Sequence, residues 1–108
     1  MGGGSDMIIG RRGDSIMGRV LDRAFDIQSD FGAIEIVTER IAWIHFRNPP
    51  QMPDDEIWLG NGDRLSGAIQ QDGVTFQPEG GSRMRIPRDR IHTVLIGQGL
   101  DQQAPALR

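Results

Sequence analysis

Apolar residues recur at every second position along this chain, in runs of four to seven, the period of strands with one buried face rather than of helices. Phe25 and Ile27 alternate with Asp26 and Gln28, and Ile34 and Ile36 flank Glu35. The pattern predicts strands at about 7–11, 15–22, 24–29, 33–37 and 42–46. A second set follows at about 56–60, 64–71, 73–77, 83–87 and 93–96. Between them stand Gly13-Asp14, Asn61-Gly62-Asp63, Asp72-Gly73 and Gly80-Gly81, residues that reach positive φ cheaply and close tight hairpins. An antiparallel meander follows from short loops of this kind.

The two sets are copies of each other. Gly13-Asp14-Ser15-Ile16-Met17-Gly18-Arg19-Val20 matches Gly62-Asp63-Arg64-Leu65-Ser66-Gly67-Ala68-Ile69 at an offset of 49 residues, which also aligns Ile8 with Ile57. Farther on, Ile34, Ile36, Arg40-Ile41, Ile44 and Phe46 match Met84, Ile86, Arg90-Ile91, Val94 and Ile96 at an offset of 50. The extra residue falls in the turn around Gly32 and Gly80-Gly81, where length changes leave strand register intact.

Gly18 and Gly67 sit in mid-strand on the inward register, where a missing side chain permits a sharp bend or a close backbone approach. The stretches 37–41 and 86–91 read as tight 3₁₀ turns into the last strand of each copy, with Ile41 and Ile91 plugging the end of the core.

The run Leu59-Gly60-Asn61-Gly62-Asp63-Arg64-Leu65-Ser66-Gly67-Ala68-Ile69, followed later by Met84-Arg85-Ile86-Pro87-Arg88-Asp89-Arg90-Ile91, resembles the sequence plan of the Sm-like family. It is also similar to bacterial Asn-Gly-Asp-x-Leu-x-Gly modules of unknown function. The resemblance covers about residues 7–97 and implies an all-β fold: two tandem, strongly bent, five-strand antiparallel small barrels of the Sm-like or SH3-like kind. The chain departs from the Sm-like pattern in having no leading helix, no Asp-x-x-x-Asn segment on the third strand, and no Arg-Gly before the last strand.

The expected organisation is a tail at 1–5, a first barrel at 6–47, a linker at 48–55, a second barrel at 56–97 and a tail at 98–108. MGGGS at the start reads as a Gly/Ser tail outside the fold. Pro49, Pro50 and Pro53 make the linker a semi-rigid extended spacer. No apolar run approaches the roughly 20 residues of a membrane helix, so the chain reads as soluble, in the cytoplasm or, with a leader removed, the bacterial envelope.

Chemistry enters by exclusion. Without cysteine there is no thiolate, disulfide or cysteine-ligated zinc. His45 and His92 fall at non-equivalent repeat positions and have no partners at metal-ligand spacing. Asp14 and Asp63 read as turn caps, and Asp54, Asp55 and Glu56 as a solvated acidic run. No nucleophile elbow, phosphate loop or dinucleotide fingerprint occurs, so no catalytic, cofactor or metal residues are assigned and a non-enzymatic role is expected.

The net charge of −3 gives no bulk attraction to nucleic acid, and every basic residue is arginine. Arg11 and Arg12, and separately Arg83, Arg85, Arg88 and Arg90, are the residues a nucleic-acid reading would use. Acids interleave both clusters. The leading expectation is an assembly or scaffold module, a homo-oligomer or a binder of another β-edge protein. Its contact edges would be 33–37, 42–46, 83–87 and 93–96, with Trp43, Phe46, Trp58 and Ile96 as partner-binding side chains.

Overall fold

The computed structural model describes residues 5–97; the expected tails at 1–4 and 98–108 lie outside the described residues. Ten strands form: β1 (Asp6–Gly10), β2 (Ser15–Val20), β3 (Ala24–Ser29), β4 (Gly32–Val37), β5 (Ile41–His45), β6 (Asp55–Leu59), β7 (Arg64–Ile69), β8 (Gly73–Pro78), β9 (Met84–Pro87) and β10 (Ile91–Leu95). The 3₁₀ turns Thr38–Arg40 and Arg88–Arg90 lead into β5 and β10, as the sequence predicts.

All ten strands belong to one antiparallel sheet, in the order β4-β3-β7-β6-β5-β10-β1-β2-β8-β9. Its smallest extent is 25 Å, far more than the thickness of a flat sheet, so the sheet is strongly curled. Exchanging every strand for its repeat counterpart and reading backwards returns the same order. The copies are thus related by a pseudo-two-fold between β5 and β10.

Two self-contained copies are not what the pairing displays. The first copy's hairpin β3–β4 lies against β7 of the second, with Ile27 opposite Ile69. The second copy's hairpin β8–β9 lies against β2, with Val20 opposite Phe76. β5 pairs with β6, and β10 with β1. The physical reason is that period-two alternation fixes which residues face a core, but identical alternation in both copies leaves open whose core they face.

The segment 48–55 is likewise not a spacer. β5 and β6 are antiparallel neighbours, so the chain between them must reverse. Asn48 and Met52 exchange backbone bonds, with the Asn48 N–H donating to Met52 O at 2.7 Å and the Met52 N–H to Asn48 O at 3.0 Å.

The core is one cluster fed equally by both copies. Ile8, Val94, Ile44 and Ile57 stand in line across the four central strands, each at 3 % exposure or less. Phe25 aligns with Val74, and Ile27 with Phe76, so a large residue in one copy is offset by a smaller one beside it in the other, conserving core volume.

Gly18 and Gly67 are where the exchanged hairpins cross. A Cβ on Gly18 would lie 2.2 Å from Gln77 O of β8, and one on Gly67 2.0 Å from Gln28 O of β3. Both are contacts between copies, so the expected close backbone approach holds and is an approach to the other copy.

Interleaving makes each half dependent on its twin. Residues 6–47 and 55–97 expressed separately should give unfolded far-ultraviolet circular dichroism spectra, and mixing them should restore the β signal; a cooperative thermal transition from either half alone contradicts the pairing.

Candidate functional site

The least expected feature is a pair of buried carboxylates. Asp6 and Asp55 open β1 and β6, are 9 % and 0 % exposed, and align at the repeat offset. Each stands two residues before an inward isoleucine, Ile8 or Ile57, and so on the inward register itself. That position was the available signal. Asp55 was expected in a solvated acidic run, but the strand's alternation turns it inward while Asp54 stays exposed.

Each carboxylate takes two backbone amides. Asp55 Oδ2 accepts from the Ile69 N–H at 2.7 Å and Oδ1 from the Arg47 N–H at 2.8 Å. Asp6 Oδ2 accepts from the Val20 N–H at 2.7 Å, and Oδ1 from the Gly97 N–H. In both, one donor belongs to the carboxylate's own copy and the other to its twin.

The copies then diverge. Arg88 forks onto Asp55, its second nitrogen donating to the Ile69 and Gln71 carbonyls at 2.6 and 3.2 Å. Its guanidinium carbon lies 5.1 Å from the Phe46 ring centroid. At the equivalent position of the first copy stands Thr38, whose hydroxyl donates to Asp22 O at 2.6 Å.

Of the expected partner residues, Phe46 and Ile96 are core side chains, 1 % and 6 % exposed, and present nothing to a partner. They continue the inward register from Ile44 and Val94. Trp43 and Trp58 face outward and stack at 4.7 Å with an 18° interplanar angle, joining β5 to β6 across the copy boundary. Trp58 Nε1 donates to Glu56 at 3.2 Å, and the Arg64 guanidinium lies 5.5 Å from its ring centroid. His45 packs edge-on to Trp43 at 4.4 Å and lies 5.5 Å from His92. Burial first, and then His92, hold the His45 imidazole below its ordinary pKa, against an opposing pull from Glu56.

The expected contact edges also divide. β5 and β10 are the two central strands, bonded on both sides, so 42–46 and 93–96 offer no edge. β4 and β9 are the two edges of the sheet.

The arginines gather differently from their order in sequence. Arg11, Arg12 and Arg90 line one groove with Asp14 and Asp89. Arg11 donates to Arg47 O at 2.8 Å and to Asp89 O at 3.2 Å, tying the β1–β2 turn to the turn before β10. Arg85 lies elsewhere, bound to Asp72 at 2.6 Å and Thr75 at 2.8 Å, and it holds the Asp72 carboxyl below its ordinary pKa. Arg88 is committed to Asp55, and Arg83 is exposed before β9.

Among the described residues no three His, Asp or Glu side chains gather closely enough to hold a metal ion, and no helix is long and apolar enough to cross a membrane. Comparison with protein-family models, curated proteins and solved structures finds no match to this chain. By its strand pairing, it is an all-β protein built on a single interleaved ten-stranded sheet.

Two outcomes follow. Asp55→Asn, which strands Arg88 beside a neutral amide, should cost about 3–5 kcal/mol in urea unfolding, whereas Asp6→Asn should cost only about 1–3 kcal/mol; equal losses contradict the asymmetry. Because the folded state depresses the His45 pKa, the unfolded chain binds that proton more readily. Its stability contribution is complete above the unfolded value near 6.5 and is lost as pH falls below it. Urea midpoints at pH 7, 6 and 5 should therefore decline less steeply in His45→Gln than in the parent.

Proposed function

We infer that this protein is a non-enzymatic assembly module that self-associates by adding a second copy's strand to its own sheet edge, at β4. The observation that carries the reading is the contrast between the two edges. β4, Gly-Ala-Ile-Glu-Ile-Val, has one charge and no proline, and is exposed at Ala33, Glu35 and Val37, with Val37 at 45 %. Phe31, 84 % exposed, stands at the tip of the same hairpin. β9 carries Arg85, ends in Pro87 and is preceded by Arg83, devices that discourage pairing.

The direction of the free backbone groups follows from the register. The Thr38 N–H donates to Arg23 O at 2.9 Å, and β4 pairs residue for residue with β3, so the even-numbered residues of β4 bond inward. Ala33, Glu35 and Val37 then direct their N–H and C=O groups outward. An antiparallel β4–β4 contact about a two-fold would satisfy them and cover Val37 and Phe31. It closes as a dimer, because the same edge is used on both sides.

Nucleic-acid binding is the second reading, supported by the convergence of Arg11, Arg12 and Arg90 on one groove. Asp14 and Asp89 line that groove too, leaving three guanidiniums against two carboxylates. Oligonucleotide affinity falling steeply with salt would favour it over self-assembly.

Light scattering after gel filtration tests the main reading. The parent should run as a dimer at high micromolar concentration and Glu35→Pro as a monomer of unchanged circular dichroism, since that proline removes an outward N–H and none from the β3–β4 ladder. A monomeric parent overturns the proposal.

A further inference from the structure

The cleft beside Asp6 is the counterpart, residue by residue, of the socket that Arg88 fills in the other copy. Arg88 rests against Asp55, Ile69, Gln71 and Phe46; their repeat equivalents are Asp6, Val20, Asp22 and Ile96, and all four line one cleft of about 750 Å³. Thr38, standing where Arg88 stands, lines it as well.

We propose that this cleft is a guanidinium-binding site, and that its ligand is an arginine side chain of a partner polypeptide. Asp6 is nine-tenths buried and holds two amide donors, as Asp55 does, but among the described residues it has no cation. A buried carboxylate gains most from a charged fork donor, because water competes weakly for it there. The filled copy displays the geometry: one guanidinium nitrogen on the carboxylate, the other on the carbonyls at the end of β7 and just beyond it. The Val20 and Asp22 carbonyls hold the same chain positions beside Asp6.

The charge around the cleft has the right sign. Asp6, Asp22, Glu35 and Glu39 line it against Arg19 and Arg23, four carboxylates to two guanidiniums. Asp22 is in part occupied, accepting from the Thr75 N–H at 2.8 Å with Arg85 at 3.8 Å. Ile96 replaces Phe46, so the ring beneath the guanidinium is lost, and Thr38 already bonds the Asp22 carbonyl. Both differences weaken the site relative to its filled twin, as suits a partner that comes and goes. An ammonium offers no planar fork for carboxylate and carbonyls together, so lysine should bind poorly.

The test is a nitrogen-15 amide titration of the whole chain with agmatine, with N-acetyl-arginine methylamide and with its lysine analogue. The Val20 and Gly97 amides should shift saturably with the arginine amide, with a dissociation constant on the order of 1 mM, the range open to so small a ligand. The Ile69 and Arg47 amides, closed by Arg88, should stay still. Agmatine binding as tightly as the arginine amide supports the guanidinium site; agmatine binding much more tightly overturns the polypeptide source in favour of a free guanidine.

Thr38→Arg should fill the cleft from within, abolish the shifts and raise the melting temperature, and Asp6→Asn should weaken binding at least about tenfold. Absence of any shift at about 50 mM ligand, a concentration well above fragment affinities, overturns the proposal. So does an equal response to the lysine analogue, a response that survives in folded Thr38→Arg protein, or one of undiminished affinity in folded Asp6→Asn protein.

Discussion

The fold depends on a carboxylate standing in for missing backbone. β1 begins at Asp6 opposite Gly18, yet β2 continues to Val20 on one side and β10 runs on toward Gly97 on the other. Two amides therefore point past the start of β1, where no residue of that strand can meet them. The Asp6 side chain meets both, and Asp55 does the same between Ile69 and Arg47. An unmet buried amide costs about 1–3 kcal/mol, and a charged acceptor serving two of them offsets part of its own desolvation. Since one donor in each pair comes from the other copy, these carboxylates also fix which copy follows which in the sheet.

Interleaving follows from the same geometry. β5 leaves its copy to pair with β6, and Asp55, opening β6, receives the amide of Arg47 as the chain leaves β5. The loop between them must then be a reversal. Gly18 and Gly67 allow the exchanged hairpins to come within backbone contact of β2 and β7, which any side chain would prevent. Each block of five adjacent strands draws on both copies, so the small core that one repeat could bury is doubled and shared.

The strands, hairpins, 3₁₀ turns and repeat were legible because each is local: alternation, glycine placement and self-alignment lie within a few residues of chain. The exchange was not, because both copies present the same apolar register and either could pack on either. Phe46 and Ile96 were placed at a surface on the assumption that the last strand is an edge, an assumption that fails once β5 and β10 pair. Trp43 stands where the second copy has Thr93 and Trp58 where the first has Ile9, and the two rings expected to meet a partner stack on each other across the copy boundary. Asp55 was hidden by its acidic neighbours Asp54 and Glu56, which suggested a solvated run, although the inward register and exact repeat spacing that it shares with Asp6 were already in the sequence.

Where the copies differ, the differences are concentrated. Their inward positions trade volumes, Phe25 for Val74 and Ile27 for Phe76, and preserve a common core. The segment through β9 and its 3₁₀ turn carries Arg85, Pro87 and Arg88, which guard an edge and fill a socket. Its counterpart through β4 carries Glu35, Val37 and Thr38, which do neither. One half of a pseudo-symmetric sheet is thus closed by its own side chains, and in the other the stretch 32–38 presents a backbone edge and, through Glu35, Val37 and Thr38, part of the wall of the carboxylate cleft. Core packing constrains the two halves alike, so it cannot account for a divergence confined to the surface. The proposed strand addition at β4 and the proposed guanidinium site both engage the first half alone, and together they would account for it.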